Sequence, residues 1–443
     1  NPAISRLEAY YLCEKVEFLT YQATIASAIF LCTYALLIAD KIHRTIVALT
    51  GAVLILLTGI IAQERAVRAI DFNTIGLLIG MMVIVGITRR TGVFEYMAIV
   101  SAKWAKGEPV RIMISLATVT AVLSAFLDNV TTVLLIVPVT FAIARQLKIN
   151  PVPYLIAEVI ASNIGGTATL IGDPPNIMIG SATGLGFMDF VIALAPVIIV
   201  VHITNMIWLK ILYKKQLVTE PDLKQNILNM NEKEEIKDPA LLRKCLWAIG
   251  LTIFGFVLHQ YLRLESATIA LSGAALLLLI TRDDPERALA AVEWPVIFFF
   301  AGLFIVVGAL EEAGVIEFIA KKSLELTGGA IVSTGILILW LSAIASAFVD
   351  NIPFVATMIP LIQDMGRLGG IPDLNPLWWS LSLGACLGGN GTLIGASANV
   401  VVAGLAEKRG VIITFMNFIK VAFPMMLMSV AICMVYLLLR YLH

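Results

Sequence analysis

The chain has 443 residues, 59% of them hydrophobic and 14% charged, with 31 basic and 31 acidic side chains. Its mean hydropathy is +0.92. Soluble domains carry about 25% charged residues, so the composition excludes a soluble globular protein and predicts a polytopic membrane protein. A net charge of zero gives no reason to expect a nucleic-acid partner. Five cysteines (Cys13, Cys32, Cys245, Cys386, Cys433) are scattered without metal-ligand or disulfide spacing, and Cys386 alone lies beside a candidate site.

In chain order, residues 1–18 mix charged and apolar positions and predict an N-terminal helix lying at the membrane surface. No cleavable signal peptide is recognisable, and a chain opening on Asn1 leaves room for an upstream span. A first transmembrane repeat, 19–213, holds apolar runs at 19–39, 45–62, 72–88 and 189–213. Between them lie an amphipathic stretch at 92–106, a run at 111–146 broken at Asp128-Asn129, and a run at 154–183. Asn163-Ile-Gly-Gly-Thr167-Ala-Thr169-Leu-Ile-Gly-Asp173-Pro-Pro-Asn176 interrupts that last run, because so many Gly, Pro and polar residues cannot form one helix. Residues 214–244 form the one long polar stretch, read as a cytoplasmic linker.

The second repeat, 245–443, repeats the order: 245–262, 266–281, 294–310, an amphipathic 315–326, a broken 331–366, an interrupted 377–406, and 415–441. Residues match as well as lengths. Ser124-Ala-Phe-Leu-Asp128-Asn129 returns as Ser346-Ala-Phe-Val-Asp350-Asn351, 222 residues later. Gly80, Gly86 and Gly92 match Gly302, Gly308 and Gly314; Gly165, Thr169, Gly172 and Asn176 match Gly388, Thr392, Gly395 and Asn399. A repeat whose spacing stays at 222–223 residues is one unit used twice.

If each Asp-Asn segment is a re-entrant hairpin, each half has five spans, one of them broken. An odd number makes the halves insert upside down. Lys and Arg placement agrees: Lys41, Arg44, Arg89, Arg90, Lys103, Lys106, Arg145, Lys214 and Lys215 fall on the linker side. The expected fold is therefore an all-α polytopic membrane protein of two inverted-topology repeats.

An ionised side chain at membrane depth costs roughly 2.5–3.5 kcal/mol on insertion scales, so Asp128 and Asp350 are functional candidates. Broken helices meeting near the midplane are how many secondary transporters build a site. Asn129, Asn163, Thr167, Thr169, Asn176, Asn351, Asn390, Thr392 and Asn399 would add neutral donors and acceptors, although each reads equally well as a helix cap. Asp173, whose partner position is Ala396, is an ion-binding candidate or an N-cap for Pro174-Pro175. Glu158 is a proton-coupling candidate beside Asp128 and Asp350, or an interfacial or paired glutamate; His202 reads as a packing residue.

These motifs, with Gly384-Ala-Cys-Leu-Gly-Gly-Asn390-Gly-Thr392-Leu-Ile-Gly-Ala-Ser-Ala-Asn399, resemble the ion transporter superfamily, in the branch of ArsB arsenite-efflux proteins, the P protein and NhaD-type sodium/proton antiporters. The resemblance runs from about residue 40 onward and is strongest to the P protein, without its large polar insertions. It implies a scaffold and a moving transport domain with elevator-like displacement, a homodimer in the plasma membrane, and room for an energising ATPase subunit. Related dicarboxylate symporters carry Ser-Asn-Thr at the hairpin tips, where this chain has Asp128-Asn129-Val130 and Asp350-Asn351-Ile352.

Two carboxylates would repel a dianion. The expectation is proton-coupled efflux of arsenite or antimonite, neutral trihydroxides at pH 7, with sodium/proton antiport as the alternative. No enzymatic activity and no cofactor beyond a proton or sodium gradient are expected. An intramembrane aspartyl protease lacks its Gly-x-Gly-Asp motif here, and a passive channel would ignore a proton gradient.

Overall fold

Apolar runs become helices almost run for run. The structure, a computed structural model, describes residues 2–39 and 41–442, with side chains from residue 21 onward, and no strand occurs among them. The first half folds as α1 (Pro2–Ala39), α2 (Arg44–Thr58), α3 (Gln63–Ala69), α4 (Phe72–Arg89), α5 (Val93–Trp104), α6 (Pro109–Ser124), α7 (Asn129–Gln146), α8 (Val152–Gly166), α9 (Pro174–Thr183) and α10 (Phe187–Tyr213). The polar stretch holds α11 (Pro221–Leu228) and a 3-10 turn, Glu232–Glu235. The second half folds as α12 (Pro239–Leu262), α13 (Ser266–Thr281), α14 (Pro285–Leu289), α15 (Trp294–Glu312), α16 (Val315–Thr327), α17 (Ile331–Phe348), α18 (Asn351–Gly369), α19 (Asn375–Gly388), α20 (Ser397–Glu407) and α21 (Phe415–Arg440).

Eight of these (α1, α4, α7, α10, α12, α15, α17 and α21) are long and apolar enough to cross a membrane among the described residues. The shorter apolar helices α2, α6, α13 and α20 accompany them. The backbone of residues 2–20 is helical and continuous with the first apolar run, while the side chains of the expected surface segment 1–18 lie outside the described residues. Matching glycines start matching helices. Gly92 before α5 and Gly314 before α16 have φ of 78° and 71°, a left-handed conformation that costs other residues energy.

The chain gathers into two compact units, and each takes segments from both sides of the polar stretch. One comprises Asn1–Phe72, Trp294–Thr334 and Ala356–Leu374. Within it α15 lies against α2 and α1. Gly302 faces the Ala48 backbone and Gly51 faces Thr33 and Val306, so the absence of side chains lets these helix backbones approach. Thr45 Oγ1 donates to Pro295 O at 2.6 Å, and Arg65 pairs with Glu312.

The other unit comprises Asn73–Glu293, Gly335–Val355 and Asn375–His443, and contains every candidate site residue. Here α8 is buried on all sides from Pro153 to Gly166. It presses on α6 so closely that a Cβ on Gly165 would overlap the Ala121 carbonyl, and its repeat counterpart Gly388 stands in the same relation to Ala343 of α17. Gly165→Val is therefore expected to cost about 3 kcal/mol or more, the upper range for overpacking, because backbone cannot step aside. Thermal unfolding followed by a thiol-reactive dye on the buried Cys245, Cys386 and Cys433 measures it. An unchanged midpoint would show that α6 and α8 can separate freely.

The polar stretch is docked on this unit rather than hanging free of it. Lys103 of α5 reaches Glu232 at 2.5 Å and Met230 O at 3.0 Å; Lys224 pairs with Glu108 at 2.7 Å; Lys237 N–H donates to Thr91 O at 3.0 Å. Its last residues already belong to α12, which Asp238 caps ahead of Pro239, a start signal within the sequence's linker boundary of 244.

Beyond the end of α4, Arg90 holds Asp283 in an ion pair, and that guanidinium keeps the carboxyl below the usual carboxylate range. A depressed folded value means the pair stabilises fully above the unfolded carboxyl value, about 3.9, and that this is lost as pH falls through the folded value. Asp283→Asn should lower stability by about 1 kcal/mol at pH 7. The gap to wild type should close in acid, which pH-resolved thermal unfolding reads directly.

Candidate functional site

The site grows from two broken helices. α8 ends at Gly166 and the chain resumes as α9 at Pro174; α19 ends at Gly388 and resumes as α20 at Ser397. Such breaks free backbone carbonyls that must find donors. Asn176 supplies both amide protons, to Thr167 O at 3.1 Å and Thr169 O at 2.9 Å. Asn399 does the same for the second break, to Gly389 O and Thr392 O, each at 2.8 Å. Thr169 Oγ1 donates to Ala125 O beside one hairpin tip and Thr392 Oγ1 to Ala347 O beside the other. Thr167 Oγ1 turns back to Asn163 O at 2.7 Å. Each break is thus tied to the hairpin of its own repeat by the same contacts, made twice.

Amide bonds then join the repeats. Asn163 Nδ2 donates to Asn390 Oδ1 at 2.9 Å and Asn399 Oδ1 at 3.1 Å, and its Oδ1 accepts from Asn129 Nδ2 at 3.1 Å. Asn163 corresponds to Cys386 in the second repeat. Cys386 Sγ lies 3.7 Å from Asn176 Oδ1, the counterpart of Asn399, and bonds the Thr167 side chain, the counterpart of Asn390. The two repeats thus exchange matching partners at this point. Ser382 completes Asn176, donating to its Oδ1 at 2.6 Å.

The carboxylates take three different positions. Asp128 is half-buried and caps α7, its Oδ1 accepting from Thr131 N–H at 2.9 Å. Asp350, also half-buried, accepts from Ile352 N–H at 3.1 Å and from Ser397 Oγ at 2.8 Å. Asp173 stands at the N-cap position of α9 but makes no side-chain cap bond. Its fully buried carboxylate instead faces Asn351 Nδ2, 3.4 Å from each oxygen, and the Cys386 thiol. It also interacts electrostatically with Asp350 and Asp128, so the three acids share one neighbourhood.

The structure therefore brings together Asp128, Asn129, Asn163, Thr167, Thr169, Asp173, Asn176, Asp350, Asn351, Asn390, Thr392 and Asn399. Two residues stand apart. Glu158 is fully buried among packed helices and paired with Thr140, a hydroxyl partner, among the described residues. His202 is bonded to Thr118 at 3.1 Å. Ser382, Ser162 and Ser397 belong to the network and were not singled out from the sequence. Ser162 bonds Asn129 O, and its one signal was its place one residue before Asn163.

Residues 34–384 match a family model described as Citrate transporter, CitMHS. The chain belongs to this citrate transporter family. An uncharacterized transporter of Mycobacterium tuberculosis is 45% identical over 95% of this chain and 99% of its own length. The human P protein is 37% identical over 94% of this chain, which spans 60% of that protein's length. The crystal structure of the Alcanivorax borkumensis YdaH transporter covers 89% of this chain and 98% of its own, with a TM-score of 0.55 and 15% identity, a likeness of fold alone. The chain is a multi-pass membrane transporter of the CitMHS and P protein kind, taking a small solute across the bilayer, and a bacterial plasma membrane is consistent with it.

Proposed function

We propose that this family member exchanges protons for a small solute that is not an anion, with arsenite and antimonite as the solutes. One observation carries the reading: buried Asp173 stands within electrostatic reach of both Asp350 and Asp128, and the groups facing its carboxylate are the neutral Asn351 amide and Cys386 thiol. A polyanion such as citrate, which the family's name suggests, would meet like charges there. A neutral trihydroxide meets hydroxyl, amide and carboxylate partners, and Asp128 and Asp350 trade protons with its binding. Tight thiolate chelation would want three sulfurs, and Cys386 is a single thiol, so binding stays weak enough for release.

Sodium/proton antiport is the second reading, favoured by the oxygen-rich surroundings, since a hard cation takes carboxylate and carbonyl ligands. The elevator displacement, the homodimer and an energising ATPase subunit belong to the same proposal. Proteoliposomes loaded with a pH-sensitive dye test it, offered arsenite, antimonite, sodium and a dicarboxylate side by side. Proton movement with arsenite or antimonite is expected. Proton movement with sodium alone selects the second reading, and movement with the dicarboxylate alone overturns both.

A further inference from the structure

Away from the amide network, α8 carries a carboxylate that its surroundings cannot hold as a charge. Glu158 has no exposed surface. Thr140 Oγ1 of α7 meets its Oε1 in a short contact, while Oε2 is buried without any hydrogen-bond partner. The same Thr140 hydroxyl also lies 3.3 Å from Ile136 O, the carbonyl one turn earlier on α7. One hydroxyl proton cannot serve two acceptors.

A proton on Glu158 resolves the geometry. The acid O–H donates to Thr140 Oγ1, and the Thr140 O–H is released to its usual place on Ile136 O. Loss of that proton as H+ turns the Thr140 hydroxyl toward Oε1 and leaves Ile136 O without it.

Packing does not ask for an acid here. The repeat spacing is 222 at Pro138 and Pro360 and 223 from Pro153 and Pro376 onward, so Thr140 and Glu158 correspond to Ile362 and Leu381, both fully buried hydrophobics. The first repeat thus carries a hydroxyl and a carboxyl at two positions where the second carries buried apolar side chains. A buried ionisable residue that packing does not require marks a functional position in a membrane protein.

The helices around α8 offer no counter-charge among the described residues. Burial and the Thr140 bond are the influences on Glu158. Tyr154, one turn earlier on α8, has its hydroxyl committed to Pro109 O of α6 at 2.7 Å. Arg409, from the loop after α20, is stacked on Phe141 beside Thr140. His202 of α10 is held by Thr118 of α6, and α19 and α21 contribute no charged partner.

We propose that Glu158 is a proton-binding site in its own right, occupied in this structure as a carboxylic acid that donates to Thr140, and separate from the three aspartates. It lies five residues before Asn163, about 7.5 Å along α8. Its consequence for transport rests on the proton-coupled reading above; its protonation does not.

The test keeps those apart. Full-length chain in nanodiscs is examined by infrared difference spectroscopy between neutral and alkaline pH, in H2O and D2O. A carboxylic-acid C=O band is expected at neutral pH, shifting in D2O, vanishing in alkali, and missing from Glu158→Gln. The double variant Thr140→Ile, Glu158→Leu takes the apolar residues found at the matching positions of the second repeat and should fold with wild-type thermal stability, again without the band. In proteoliposomes, wild-type counterflow of arsenite or sodium should fall in alkali as Glu158 loses its proton, and Glu158→Gln should remove that fall. Absence of the band, or a band indifferent to pH, overturns the proposal even if transport is proton-coupled. Failure of both probes to move protons overturns the transport reading while the band still decides Glu158.

Discussion

Asn163→Asp should abolish transport while changing the side chain's shape by almost nothing. Asn163 is the one residue bonded to Asn129, Asn390 and Asn399 together, and it spends both amide protons across the repeats. An aspartate has no proton to give, so the oxygens of Asn390 and Asn399 would face a fourth carboxylate. Each buried acceptor left unpaired costs about 1–3 kcal/mol. A loss of about 3 kcal/mol corresponds to roughly 100-fold in the fraction of assembled sites.

Cys386→Asn is the matched control. It installs the amide of Asn163 at the exchanged position, where Thr167 and Asn176 stand ready as partners, and it should fold and keep counterflow. Thermal unfolding and arsenite counterflow on both variants decide the matter. If Asn163→Asp transports normally, the amide bridge is not what assembles the site.

Much of this arrangement can be read in the sequence, and the reason is repetition. A single Asn in an apolar run is ambiguous, but Asn176 and Asn399 at constant spacing, each behind a glycine pair, mark the same local problem solved twice. Helix ends were legible for the same reason: Gly92 and Gly314 must both adopt left-handed backbone. What spacing could not reveal is which polar atom answers which.

Asp173 ahead of two prolines has the pattern of a cap, yet its carboxylate turns to Asn351 and Cys386, partners that lie 178 and 213 residues on. The amides of Asn176 and Asn399, read as solute donors, have both protons engaged by the backbone of their own breaks. Glu158 could not be placed because its partner Thr140 sits on the preceding helix, and nothing in one sequence orients two helices about their axes. The polar stretch 214–244 was legible as a divider but not as a docked element, since Lys103 and Glu232 meet only after folding.

Asp128→Asn separates the two things Asp128 does. Its carboxylate caps α7 and also contributes charge near Asp173. Asparagine is as good an N-cap as aspartate, whereas alanine gives up about 0.5–2 kcal/mol. The Asn variant is therefore expected to reach the membrane with wild-type stability and to lose nearly all proton-driven flux, while Asp128→Ala loses flux and stability together. Asp350→Asn should behave alike, keeping its bond from Ile352 N–H and losing its charge.

Residues acting within one network do not add. If the two tip carboxylates share one coupling step, Asp128→Asn combined with Asp350→Asn should be no slower than either alone. If each handles its own proton, the losses multiply. Full proton-driven transport in Asp128→Asn would leave Asp128 a helix cap and move the coupling charge to Asp173, the one carboxylate of the three that caps nothing.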